Sequence, residues 1–289
     1  MRHHEARLHD GTTIPLHVAG RGPDVLLAVR TDPYDEATAA SMRAWGADPD
    51  LGPTLVRRLS GAFRVIAADY EGHRMASPAP STLTPENVAA DLLAIADAAG
   101  ADRFAWYGYS WLALAGLQLA LRTDRLWALA MGGFPPLDGP YEPMLAVTRA
   151  AHAMAAAGGG VPASDAAQVE PGDWDSVTVQ TSEDQTRQFV TLYEALQRFD
   201  DAAALPALAI PRLCFAGSED RIEYGPSWGG TTVRIAEPLV SRRADLERAG
   251  WDVEVLPGLD HLGAMRAEAV LPLLGGWLPR QRAGVTRAE

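Results

Sequence analysis

Five short apolar runs punctuate the chain without regular polar alternation: Val25 to Val29, Arg64 to Ala68, Phe104 to Gly108, Leu126 to Met131 and Arg212 to Ala216. Such runs predict strands buried on both faces of a parallel sheet. Ahead of them, Ala6 to Leu8 and Thr13 to Val18 read as a hairpin joined at Asp10-Gly11, which supplies the positive φ angles of a two-residue turn. Trp251 to Leu256 does alternate, apolar with acidic, and predicts a half-exposed edge strand.

Helical patterns fill the intervals. Thr84-Pro85-Glu86-Asn87-Val88 opens one, with threonine at the N-cap and proline at the first helical position. Val88, Leu92 and Ile95 then recur at helical spacing until Gly100. Strand and helix in alternation imply a mostly parallel α/β sheet with helices on both faces. An eightfold barrel is disfavoured by the opening hairpin and by one long interval, about Leu137 to Leu208. Within it, two helical patterns flank Gly158-Gly159-Gly160 and a polar stretch around Asp173-Trp174-Asp175. The second begins with the capping-box spacing Ser182-Glu183-Asp184-Gln185 and carries Phe189, Leu192, Tyr193, Leu196 and Phe199 on one face. A helical insertion between two strands reads as a lid.

Composition narrows the chemistry. A net charge of -12 argues against nucleic acid or an anionic membrane as partner. All 25 basic residues are arginine, which excludes Schiff-base lysine chemistry and a phosphate-loop lysine. Cys214 is the only cysteine and lies in an apolar run, so it reads as a packed thiol. Met1 to Glu5 lacks a signal-peptide core, and no run of about 18 apolar residues occurs, so the expected location is the cytoplasm.

The sharpest local signal is Phe104-Ala105-Trp106-Tyr107-Gly108-Tyr109-Ser110-Trp111-Leu112, a strand running through Gly-x-Ser straight into a helix. Two later strand exits carry polar groups. Pro211 to Ala216 runs into Gly217-Ser218-Glu219-Asp220, and Leu256-Pro257-Gly258-Leu259-Asp260-His261 precedes a final helix. Serine, acid and histidine in this order, each at a strand's carboxyl end, resemble the α/β-hydrolase superfamily, whose nucleophile elbow is Gly-x-Ser-x-Gly. Phe63 to Ser77 is similar to that superfamily's fourth strand and its Asp-x-x-Gly-His-Gly-x-Ser loop, with Arg74 where glycine is usual. His73 is accordingly read as shaping that loop, and His3, His4, His9, His17 and His152 as solvated or hairpin residues.

The resemblance implies an α/β-hydrolase fold: a mostly parallel sheet of about eight strands, with a helical lid inserted after the sixth. The core would span 1–138 and 206–289, and the lid 139–205. It implies a triad of Ser110, Asp220 and His261, with Glu219 the reserve acid and Asp260 also able to cap the last helix. Backbone amides of Trp111 and Thr31 would form the oxyanion hole. Arg30, Tyr109, Met144, Trp174, Phe189 and Tyr193 are candidate pocket residues, although Phe189 and Tyr193 could equally pack the lid onto the core. Two departures stand out. Leu112 occupies the elbow's last glycine position, which demands rearranged packing, and Val29-Arg30-Thr31-Asp32 replaces the usual His-Gly turn. The expected activity is hydrolysis of an ester or related acyl bond in a small, largely apolar molecule, with no metal or organic cofactor and a monomer or homodimer as the working form. Alternatives are an iminopeptidase-like peptidase using Glu183, Asp184 or Glu194, a non-hydrolytic lyase or cyclase, and, last, a ligand-binding receptor.

Overall fold

The computed structural model describes residues 4–158 and 181–285, with side chains to residue 282. Eight strands form one sheet: β1 (His4–Arg7), β2 (Thr13–Gly20), β3 (Asp24–Leu27), β4 (Arg64–Ala67), β5 (Phe104–Tyr109), β6 (Leu126–Gly132), β7 (Arg212–Gly217) and β10 (Trp251–Leu256). Their spatial order is β1-β2-β4-β3-β5-β6-β7-β10. The β1–β2 and β2–β4 pairs are antiparallel and the rest parallel. A separate hairpin, β8 (Arg221–Glu223) and β9 (Thr232–Arg234), follows β7.

The apolar runs account for this layering. On β5 every residue is buried, with Phe104 and Trp106 in one core cluster and Ala105, Tyr107 and Tyr109 in the other. The first cluster is closed by α4 (Pro85–Ala98) and α5 (Trp111–Ala120), the second by α2 (Leu51–Leu59) and α12 (Ala267–Val285). Thr84 caps α4 through its side chain, which accepts from the Asn87 amide. Edge strand β10 alternates as its sequence demands, with Trp251 and Val253 buried and Asp252 and Glu254 exposed.

The opening hairpin departs from the two-residue turn. Arg7 pairs with Thr13, leaving residues 8–12 as the loop, and within it Gly11 alone takes a positive φ, of 83°. Asp10 contributes its carboxylate instead, accepting from the Thr12 amide at 3.1 Å and from Arg74 Nη1 at 2.8 Å. The segment read as a loop after β4 is helical: Asp69 caps α3 (Tyr70–Ala76) by accepting from Gly72 N. His73 and the fully buried Arg74 point back to that hairpin, His73 Nε2 lying 2.9 Å from Thr12 Oγ1. His9, read as a solvated or hairpin residue, sits in the hairpin loop but is engaged, with Nδ1 2.9 Å from the buried Asp91 and Nε2 3.0 Å from Thr82.

Between β6 and β7 lie α6 (Tyr141–Ala156), α7 (Glu183–Ala195) and the short α8 (Asp201–Ala204). Ser182 and Gln185 form the capping box at the start of α7. Polar side chains tie α7 to α3 and the segment after it. Buried Gln188 accepts from the Ala79 amide and donates to the Arg74 carbonyl, and Thr191 donates to the Pro80 carbonyl. After β9 come α9 (Ala236–Ser241) and α10 (Arg243–Arg248), and α11 (His261–Met265) leads into α12. Among the described residues no helix is long and apolar enough to cross a membrane.

Candidate active site

Strand order places the site. Strand β3 pairs with both β4 and β5, so the chain builds outward in opposite directions from the β3–β5 pair and leaves a crevice at their carboxyl ends. Ser110 follows β5 there, and Val29 and Arg30 lie just beyond β3.

Ser110 has φ 56° and ψ −129°, a region that residues with a Cβ enter only under constraint. The constraints are visible. Its amide donates to Gly132 O at 2.8 Å, and its carbonyl accepts from Ala113 N at 2.9 Å. Gly108 makes the reversal possible, because a Cβ there would lie 2.2 Å from Leu112 O. Leu112 is accommodated by a shift of the close approach one turn along α5. A Cβ at Gly116 would meet the Trp106 indole at 2.3 Å, and that indole donates its N–H to Leu112 O at 3.2 Å.

His261 opens α11, whose cap is Asp260 accepting from Gly263 N at 2.7 Å. Its Nδ1 lies 3.0 Å from both carboxylate oxygens of the fully buried Asp220. Glu219, the reserve acid, is exposed. Asp220 is held by its backbone, whose carbonyl accepts from Ile235 N and Ala236 N at 3.1 and 3.0 Å. Tyr109, next to the serine, fixes the histidine from below. Its hydroxyl donates to His261 O at 2.7 Å and its ring centroid is 5.1 Å from the imidazole. Burial first, then the Asp220 charge, pushes the Tyr109 phenol well above its ordinary value, so it stays a donor.

Two cavities meet at Ser110 and His261. The larger, about 290 Å³, is lined by Val29, Arg30, Tyr34, Asp48, Leu51, Asp69, Glu71, Tyr107, Tyr109, Trp111, Leu262 and Met265, among others. The smaller, about 150 Å³, is lined mainly by apolar groups: Phe134, Met144, Tyr193, Ile222, Tyr224, Val233 and Ile235. Its far wall comes from the β8–β9 hairpin, which the sequence reading missed. The signal was present in Arg221-Ile222-Glu223 and Thr232-Val233-Arg234, two alternating triplets around Gly229-Gly230.

The remaining candidates divide. Met144 and Tyr193 line the smaller cavity. Phe189 instead packs edge-on against Trp111, with centroids 5.3 Å apart, and lines neither. Trp174 lies outside the described residues. Trp111 sits at the first position of α5, where a helical amide has no intrahelical acceptor. Thr31 does not line either cavity, whereas Val29 and Arg30 do. Arg30 avoids positive φ, its guanidinium lies 4.7 Å from the Tyr34 ring centroid, and its Nε donates to Asp32 O at 3.0 Å. Asp32 itself is exposed and lines neither cavity.

The larger cavity is electrostatically uneven, with Arg30 facing Asp48, Asp69 and Glu71. Trp111 Nε1 donates to Glu71 Oε1 at 3.2 Å. Glu71 keeps accessible surface and lines this cavity. Desolvation raises its carboxyl above the usual range, the indole bond opposes this, and the Asp69 charge adds to it.

No protein-family profile and no curated relative matches the chain. Solved structures do resemble it. A thermophilic esterase from Thermogutta terrifontis matches with TM-score 0.62 at 19% identity, over 97% of this chain and 99% of that one. The enol-lactonase from Burkholderia xenovorans LB400 matches with TM-score 0.60 at 21% identity, over 95% and 99%. An esterase from Exiguobacterium antarcticum matches with TM-score 0.60 at 16% identity, over 96% and 98%. These likenesses extend over nearly the whole length of each protein, and they show that the chain has the α/β-hydrolase fold.

Proposed function

We propose that this chain, with its α/β-hydrolase fold, is a serine hydrolase that cleaves an ester or related acyl bond of a small molecule through an acyl-enzyme. The observation that carries the reading is a strained serine at a strand–helix junction, sharing two cavities with a histidine that a buried aspartate clamps. Ser110 attacks the carbonyl as Nε2 of His261 takes its proton. Asp220 holds the Nδ1–H tautomer and stabilises the imidazolium that forms. His261 then returns the proton to the leaving group and activates water for deacylation.

The Trp111 amide is one oxyanion donor, and the second comes from the chain beyond β3, for which Thr31 is the residue the superfamily pattern implies. Helices α6 and α7 act as the lid, with Met144 and Tyr193 bounding the smaller cavity and an apolar part of the substrate filling it. The working form is a monomer or homodimer in the cytoplasm, with no metal or organic cofactor. The peptidase alternative loses support, because Glu183 and Asp184 are exposed and Glu194 is paired with Arg149 and Arg187 at 3.0 and 3.2 Å.

The test is labelling with a fluorophosphonate probe followed by peptide mass spectrometry. Such a probe is expected to modify Ser110 alone and to leave the Ser110→Ala variant untouched. Folded protein that takes up no label, or takes it up at another residue, would refute the acyl-transfer reading.

A further inference from the structure

Among the described residues, no carboxylate and no guanidinium lines the smaller cavity beside Ser110. Phe134, Tyr193, Ile222, Val233 and Ile235 make most of its wall and are all buried. Met144 and Tyr224 are its half-buried members. Burial pushes up the phenols of Tyr193 and Tyr224, the latter to about 12, so both stay uncharged. The wall contributed by the β8–β9 segment is firmly anchored. Ile235 N donates to the Asp220 carbonyl at 3.1 Å and Tyr224 N to the Thr231 carbonyl at 2.8 Å, and the Tyr224 ring lies 5.5 Å from that of Trp228. A wall bonded to the backbone of the acid and packed on aromatic rings yields little, so the cavity has a definite size.

An apolar cavity of about 150 Å³ takes a benzene-sized guest, so this one, of about 150 Å³, holds roughly six carbons. The larger cavity differs in kind, because Arg30, Asp69 and Glu71 in its wall are charged groups that keep accessible surface. Acyl transfer treats the two halves of an ester differently. The bond from Ser110 Oγ to the carbonyl carbon forms as the bond to the alcohol oxygen breaks, and the alcohol leaves with the proton from His261. The acyl group stays attached until water replaces Ser110. A cavity with solvated charged walls suits departure of the alcohol and entry of water, whereas a dry one suits the group that is retained.

We propose that the smaller cavity is the acyl pocket, that it admits roughly six carbons beyond the scissile carbonyl, and that Tyr224 and Met144 set this limit. The substrate class is thus the esters of short, uncharged, apolar acids, with the alcohol in the larger cavity. This rests on the hydrolase reading for the bond cleaved, but the size limit of the cavity does not require turnover.

The experiment runs two ester series on the full chain. The p-nitrophenyl esters from acetate to decanoate vary the acyl group, and the butyrates from methyl to octyl vary the alcohol. In the acyl series kcat/KM is expected to rise about fourfold per methylene as far as hexanoate and to fall by decanoate, with no such peak in the alcohol series. Tyr224→Ala and Met144→Ala enlarge the cavity. Each should raise the octanoate-to-butyrate ratio of kcat/KM, taken within the one variant, roughly fifteenfold, the worth of two further methylenes. General damage lowers both esters alike and leaves that ratio unmoved. Methyl ketones from butanone to 2-decanone carry the same alkyl groups without a leaving group, and their calorimetric binding to Ser110→Ala separates the two readings. Affinity that peaks near 2-octanone, without turnover of any ester by wild type, would sink hydrolysis and leave the size limit standing. An acyl series that climbs unbroken to decanoate, a peak in the alcohol series instead, or a ratio unmoved in both variants overturns the assignment. So do ketones that bind without length dependence, or not at all, where no ester is cleaved. Should Tyr224→Ala fail to fold, Met144→Ala and the length limit of the parent decide.

Discussion

Replacing Asp220 by asparagine preserves shape while removing the charge that faces His261. The aspartate is fully buried, and both its oxygens lie 3.0 Å from Nδ1. Its backbone is fixed by bonds to Ile235 N and Ala236 N, so the substituted side chain stays in place. In the proposed mechanism the loss falls on the imidazolium formed as Ser110 gives up its proton. For charges about 3–4 Å apart at an effective dielectric constant of about 20, the missing attraction is about 4–5.5 kcal/mol. At about 1.4 kcal/mol per decade, that is a fall of roughly 10³–10⁴ in kcat, matching the drop seen when a triad aspartate becomes asparagine. The assay is hydrolysis of p-nitrophenyl butyrate, with circular dichroism and thermal melting to show that the variant folds. Glu219→Gln and Asp260→Asn serve as comparisons, the first exposed and the second altering a helix cap. Asp220→Asn activity within tenfold of the parent, or an equal loss in Glu219→Gln, would refute the assignment.

Three further outcomes are expected. Gly108→Ala places a Cβ 2.2 Å from Leu112 O, a backbone atom that cannot swing aside, so the elbow must open; melting should show a loss of about 1–3 kcal/mol, with activity falling at least 100-fold. Tyr109→Phe removes the 2.7 Å bond to His261 O, and steady-state kinetics should show kcat down about fivefold, some 1 kcal/mol, with KM little changed. Asp10 contributes to acid stability. Burial alone raises its carboxyl, but bonds from Arg74 and Thr12 outweigh this and hold it well below the usual range. A folded-state pKa below the unfolded value of about 3.9 gives stability that is complete above that pH and lost as pH falls below it. Urea midpoints of wild type and Asp10→Asn should therefore differ fully at pH 5 to 7 and converge below about pH 4.

Much of the fold was legible because its determinants are local. The central strands announce themselves as apolar runs, since a strand covered on both faces has no polar side to show. The capping boundaries at Thr84 and Ser182 are legible for the same reason, being bonds between residues three apart. Even the serine, acid, histidine order is a property of strand exits along the chain.

Choices that depend on distant partners were not legible. The resemblance favours Asp220 over its neighbour Glu219 without a physical reason, which comes only from the packing of β7 against the His261 turn that buries one and exposes the other. Residues 70–76 read as a loop, yet become helical where the buried Arg74 pairs with Asp10, 64 positions away. Similarly, Phe189 and Tyr193 lie one helical turn apart, but one packs on Trp111 and the other lines the smaller cavity. Periodicity along a chain reports which side of an element faces inward, whereas the identity of what it meets there is set by the order of strands in the sheet.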